Sequence, residues 1–93
     1  MKLKKIKIGK SYQLKTPEKA RKALKEINFL DSVDVEKVIN NTYTDEYCSF
    51  FAEGQIVKVD YIDSGDYRFN IRIENEDEKI SIWTNAHCLK KIK

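Results

Sequence analysis

Apolar and polar residues alternate most strictly in the second half of the chain. From Gln55 to Asp63, Val57, Val59 and Tyr61 share one face while Lys58 and Asp60 take the other, as a half-buried strand requires. Ser64-Gly65-Asp66 interrupts the alternation with turn residues, and Gly65 is the residue suited to positive φ there. In the next stretch Tyr67, Phe69, Ile71 and Ile73 are expected to face inward, and Arg68, Asn70, Arg72 and Glu74 outward. Asn75-Glu76-Asp77-Glu78 reads as a polar connection, and Lys79 to Thr84 as a third strand around Ile80 and Ile82. Asn85-Ala86-His87 suits a single 3₁₀ turn, and Leu89 to Ile92 a last short strand. A meander with a turn signal about every ten residues predicts a small antiparallel barrel or sandwich.

The first half mixes periods. Lys2 to Lys15 has a strand pattern, with Ile6 and Ile8 inward, Lys5 and Lys7 outward, a turn or bulge at Gly9-Lys10, and Tyr12 and Leu14 continuing it. Thr16-Pro17-Glu18 is a helix start: a hydroxyl cap, a proline at the first helical position, and an acid at the positive end of the dipole. Ala20, Ala23, Leu24 and Ile27 then recur at helical spacing, and Asn28 marks the end. Ser32 is placed to cap a short second helix carrying Val35, Val38 and Ile39; the alternation of Val33 and Val35 with Asp34 and Glu36 offers a strand instead. Asn40-Asn41-Thr42 reads as a loop. The expected class is α+β, one domain over residues 1–93. It comprises a first strand at 2–15, a helical insertion at 16–41 and barrel strands within 45–92.

Asp45-Glu46-Tyr47-Cys48-Ser49-Phe50, followed by Gly54 and Val59, resembles the D-E-L-S-F-x-x-G-D-x-x-x-V run of SH3 domains. Thr84 to Ile92 is similar to their closing P-S-N-Y-V-x-x-I run, in which a 3₁₀ turn leads into the final strand. The resemblance covers about half of the chain and implies a small SH3-like antiparallel β-barrel with an inserted N-terminal α-helix. Asp66-Tyr67 stands where that family has paired tryptophans, the proline before the 3₁₀ turn is absent, and no A-L-Y-D-Y segment occurs. Those residues build the grooves for proline-rich ligands, so that activity is not implied.

Charge is segregated. Residues 1–30 hold ten Lys or Arg against two acids, residues 31–79 hold five against thirteen, and residues 80–93 add three lysines. If the first and last strands are neighbours, Lys5 and Lys7 join Lys90, Lys91 and Lys93 on one basic pole, which would steer oriented association. Cys48 and Cys88 are read as two reduced core thiols, with a disulfide the alternative if the first and last strands bring them together. Cys48, His87 and Cys88 lack metal spacing, and Asp60, Asp63 and Asp66 lack that of a calcium loop. Without a Walker or GxGxxG run either, no cofactor, metal or catalytic residue is assigned. No apolar run long enough to span a membrane and no signal-peptide pattern occurs, so a soluble cytoplasmic protein is expected.

The Lys-, Ile-, Asn- and Tyr-rich composition resembles that of small accessory proteins from AT-rich bacterial or phage genomes, whose place of action is the host cytoplasm. The expected function is a non-enzymatic binding module that docks on a partner protein and modulates or inhibits it. Ten aromatics exceed what so small a core readily buries, so Tyr43, Tyr47, Tyr67 and Trp83, with Arg68 and Arg72, are the candidate anchors. Trp83 could instead close the core. The alternative is DNA or RNA binding through Lys5, Lys7, Lys10, Lys19, Lys22, Lys25, Lys90 and Lys91. Only three residues are Arg, the side chain that dominates base readout, and the acidic middle would repel a polyanion. Either class is compatible with a homodimer.

Overall fold

The computed structural model describes residues 1–27, 30–43, 51–75 and 79–92. Its strands are β1 (Ser11–Leu14), β2 (Ile56–Ile62), β3 (Ile71–Asn75), β4 (Ile80–Thr84) and β5 (Leu89–Lys90). They form an antiparallel sheet in the order β4-β3-β2-β1-β5. The α+β class expected from the sequence is observed, but the sheet is open, with β4 and β5 as its edges. A 3₁₀ turn at Ala86–Cys88 separates these two strands, and among the described residues the short β5 pairs only with β1.

One face of the sheet is the core. Tyr12, Leu14, Val57, Val59, Ile71, Ile73 and Leu89 are buried there, with Ile62, Ile80 and Ile82 packed around them. Two helices lie between β1 and β2 in sequence and complete this core. In α1 (Pro17–Lys25) the Thr16 hydroxyl accepts a hydrogen bond from the Lys19 N–H, and Ala20 and Leu24 are fully buried. In α2 (Ser32–Tyr43) Val35, Val38, Ile39 and Thr42 are buried at i, i+3, i+4 and i+7.

The second helix is longer than its local pattern predicts. Asp31, not Ser32, caps it: the Asp31 carboxylate accepts from the Asp34 N–H at 2.8 Å. The strand alternative for Val33 and Val35 does not occur, and the helix runs through the expected loop at Asn40-Asn41-Thr42. Tertiary bonds supply the reason. Thr42 Oγ1 meets Thr84 Oγ1 at 2.6 Å, Asn41 Nδ2 donates to the Trp83 carbonyl, and the Tyr43 hydroxyl donates to the Lys15 carbonyl at 2.8 Å.

Other expectations are also corrected. The first strand does not extend over 2–15: Leu3–Lys5 is a 3₁₀ turn, Gly9 turns the chain at φ +87°, and the strand is Ser11–Leu14, with Gly9 and Lys10 still bonded to Val59. Ile6 is buried as expected, but Ile8 is 60 % exposed. A bulge between Val59 and Tyr61 opposes Asp60 and Tyr61 to Arg72, turning Tyr61 outward and Ile62 inward. The third strand starts only at Ile71, so two assignments before it reverse, Tyr67 being exposed and Asn70 buried, while Phe69 packs against the core as expected. Gly65 does not take positive φ; the Asp63 carboxylate instead accepts its N–H at 3.0 Å. Cys88 is buried and free, and burial raises its thiol pKa, the condition of an inert core thiol. Cys48 and Tyr47 lie outside the described residues.

Candidate functional site

The sheet face opposite the core carries transverse rows of side chains, because pairing sets Trp83, Arg72 and Tyr61 side by side on β4, β3 and β2. The Tyr61 and Trp83 rings meet edge to face, with centroids 5.6 Å apart. The Arg72 guanidinium lies 5.7 Å from the Tyr61 centroid and 6.0 Å from that of Trp83, within cation–π range of both. Asp60, delivered by the bulge, holds Arg72 at 2.8 Å and raises its already high pKa. Trp83 therefore does not close the core; it is half-buried on the outer face.

At the end of this row lies a groove of about 360 Å³ lined by Asn41, Asp63, Asp66, Phe69 and Trp83. Asp66 organises its floor, accepting from the Arg68 N–H at 2.8 Å and the Phe69 N–H at 3.1 Å. Tyr67 is 52 % exposed beside it, with the Arg68 guanidinium 6.0 Å from its ring. Arg68 also reaches Asp34 of α2 at 3.4 Å, while its Nε is buried without a hydrogen-bond partner. Fully buried Asn85 fixes the segment from below: its amide donates to the carbonyls of Tyr67 at 3.0 Å and Arg68 at 2.8 Å.

Four expected anchors, Tyr67, Trp83, Arg68 and Arg72, thus fall on β3, β4 and the loop leading into β3. Tyr43 does not join them; it is half-buried, packed against the core and tied to Lys15. Tyr61 joins the patch without having been singled out from the sequence, where strict alternation assigns it inward. Compared with family models, with curated proteins and with solved structures, the chain shows no match in any of the three.

The lysines divide differently. Pairing of Gln13 with Lys90 and Leu14 with Leu89 brings the two ends of the chain together. Lys2, Lys4, Lys5, Lys15, Lys90 and Lys91 line a cleft of about 530 Å³. A second cleft of about 440 Å³, lined in part by Lys5, Lys7, Lys10 and Lys91, shares Met1, Lys5 and Lys91 with the first. Lys22 and Lys25 instead line a separate groove on α1 whose wall includes Glu18 and Glu26, and Lys19 lines none of these three. The N-terminal amine donates to the carbonyls of Ala86 at 3.0 Å and Leu89 at 2.8 Å. Burial, then the charge of Lys15, lowers its pKa from 8.0 to about 5. Burial also lowers the pKa of His87, with the amine and Lys15 adding to the effect. Among the described residues no three His, Cys, Asp or Glu side chains gather as metal ligands, and no helix is long and apolar enough to cross a membrane.

Proposed function

We propose that this protein is a non-catalytic binding module that docks on another protein through the Tyr61–Arg72–Trp83 face and modulates it. The observation that carries the reading is the row itself: two aromatic rings in edge contact and an arginine against both, partly exposed across three strands on the face away from the core. Trp, Tyr and Arg are the side chains that most often supply two or more kcal/mol each to an interface. Here they are preorganised, since Asp60 and the sheet already fix the arginine, so little rotamer entropy remains to be lost on association. The adjoining groove, with Asp63 and Asp66 beside Phe69 and Trp83, suits a lysine or arginine side chain of the partner, which would meet carboxylates and ring faces together.

The test is site-specific photocrosslinking. A photoreactive phenylalanine analogue in place of Tyr61 should capture a partner from host lysate. Capture should fall at least tenfold when Trp83→Ala or Arg72→Ala is added, with urea stability changed by less than about 1 kcal/mol. Undiminished capture by both variants would overturn the assignment of this face.

A further inference from the structure

A second surface is untouched by this reading. We propose that the lysine trough formed by the two ends of the chain binds the phosphate backbone of nucleic acid. The two clefts adjoin through Met1, Lys5 and Lys91, and among the described residues they are lined by eight lysines and no acidic residue. Among the described residues, each of the three arginines is paired with a carboxylate, Arg21 with Glu36, Arg68 with Asp34 and Arg72 with Asp60, whereas no lysine of the trough has such a partner. This concentration exists because β1 pairs with β5, and among the described residues no carboxylate lines the trough to relieve the mutual repulsion of its charges.

The chemistry selects among polyanions. Lysine ammoniums are point charges that satisfy phosphate oxygens without bidentate base recognition, and no arginine lines the trough, so contacts would be to backbone and independent of sequence. Leu89 in one cleft, and Tyr12 and Ile92 in the other, give the walls apolar surface for sugars. An anionic membrane is the poorer fit, because the trough is concave and its lysines come from a 3₁₀ turn, β5 and the irregular segments flanking the strands, not from an amphipathic helix lying in a plane. The molecule measures 34 × 29 × 25 Å, so one face spans roughly seven to ten nucleotides at about 3.4 Å each.

The experiment is fluorescence anisotropy of labelled 20-mer duplex and single-stranded oligonucleotides with the purified chain, at roughly 50 and 200 mM salt. If about six lysines meet phosphates, duplex affinity should fall about 10³-fold across that range. Lys5→Glu with Lys91→Glu should weaken binding at least tenfold and reduce the salt slope by about two. Lys37→Glu, on the exposed side of α2, controls for net charge and should cost far less. Absence of binding at the lower salt, or equal losses from Lys37→Glu and the trough pair, would overturn the proposal. So would binding to phosphatidylserine vesicles but not to oligonucleotides. Photocrosslinking at Tyr61 is read separately, so either surface can fail without the other.

Discussion

Asn85→Ala should be among the most damaging single changes in this protein. The side chain is fully buried and makes four hydrogen bonds, one of them between its Oδ1 and His87 Nδ1 at 3.2 Å. Its amide donates to the Tyr67 and Arg68 carbonyls at 3.0 and 2.8 Å, and its Oδ1 accepts from the His87 N–H at 2.9 Å, capping the 3₁₀ turn. Alanine would leave two carbonyls without their donor, at about 1–3 kcal/mol for each that water cannot reach. It would also remove a cap worth about 1 kcal/mol. The sum is about 3–7 kcal/mol, a large share of the total of about 5–14 kcal/mol expected for a domain of this size. Urea unfolding followed by far-UV circular dichroism and by the fluorescence of Trp83 would measure it, and Tm should fall by at least about 12 °C. Asn85→Asp is the companion: it keeps the acceptor for His87 but points a carboxylate at two carbonyls, so it should be at least as destabilising. A loss below about 1 kcal/mol for alanine, or near-native stability for aspartate, would refute the claim that this amide holds the 67–68 segment, and with it the positioning of Tyr67 and Arg68.

Two further outcomes follow from local chemistry. Asp31→Ala should cost about 1 kcal/mol as loss of the α2 cap, whereas Ser32→Ala should be nearly neutral; comparing urea midpoints of the two decides which residue caps the helix. Stability should also fall as pH drops from about 7.5 to about 5.5. Burial first, then the N-terminal amine, Lys15 and Lys2, hold the folded His87 below its usual 6.5, with only Glu26 opposing them. A group with a depressed folded pKa binds its proton more readily unfolded, so the full stability is present above 6.5 and is lost as pH falls through the folded value. The N-terminal amine, lowered from 8.0 to about 5, adds a slope of the same sign. His87→Gln should reduce the difference between the two urea midpoints to the part due to the N-terminal amine, and an unchanged pH dependence in that variant would exclude His87 as a source.

The sequence by itself determined those elements whose signals are local. Thr16-Pro17-Glu18 with Ala20 and Leu24 places α1, because cap, proline and apolar stripe all act within one helix. The inward positions of Val57, Val59, Ile71 and Ile73 follow from alternation, the 3₁₀ turn after Thr84 from Asn85, and the segregation of charge from simple counting. Only the tertiary structure decided the rest. Alternation cannot foresee the bulge at Asp60, since an inserted residue arises from pairing with β3, and it is this bulge that exposes Tyr61 beside Arg72 and Trp83. Asn70 and Asn85 look like surface residues in a linear reading, yet they are buried because the loop and turn carbonyls and amides around them need partners. The second helix passes Asn40-Asn41 because Thr42 and Tyr43 find partners on β4 and beside β1. The lysine trough is the same lesson in electrostatics: residues at opposite ends of the chain become one surface when β1 and β5 pair, and the lysines of α1, just as basic in sequence, are left out of it.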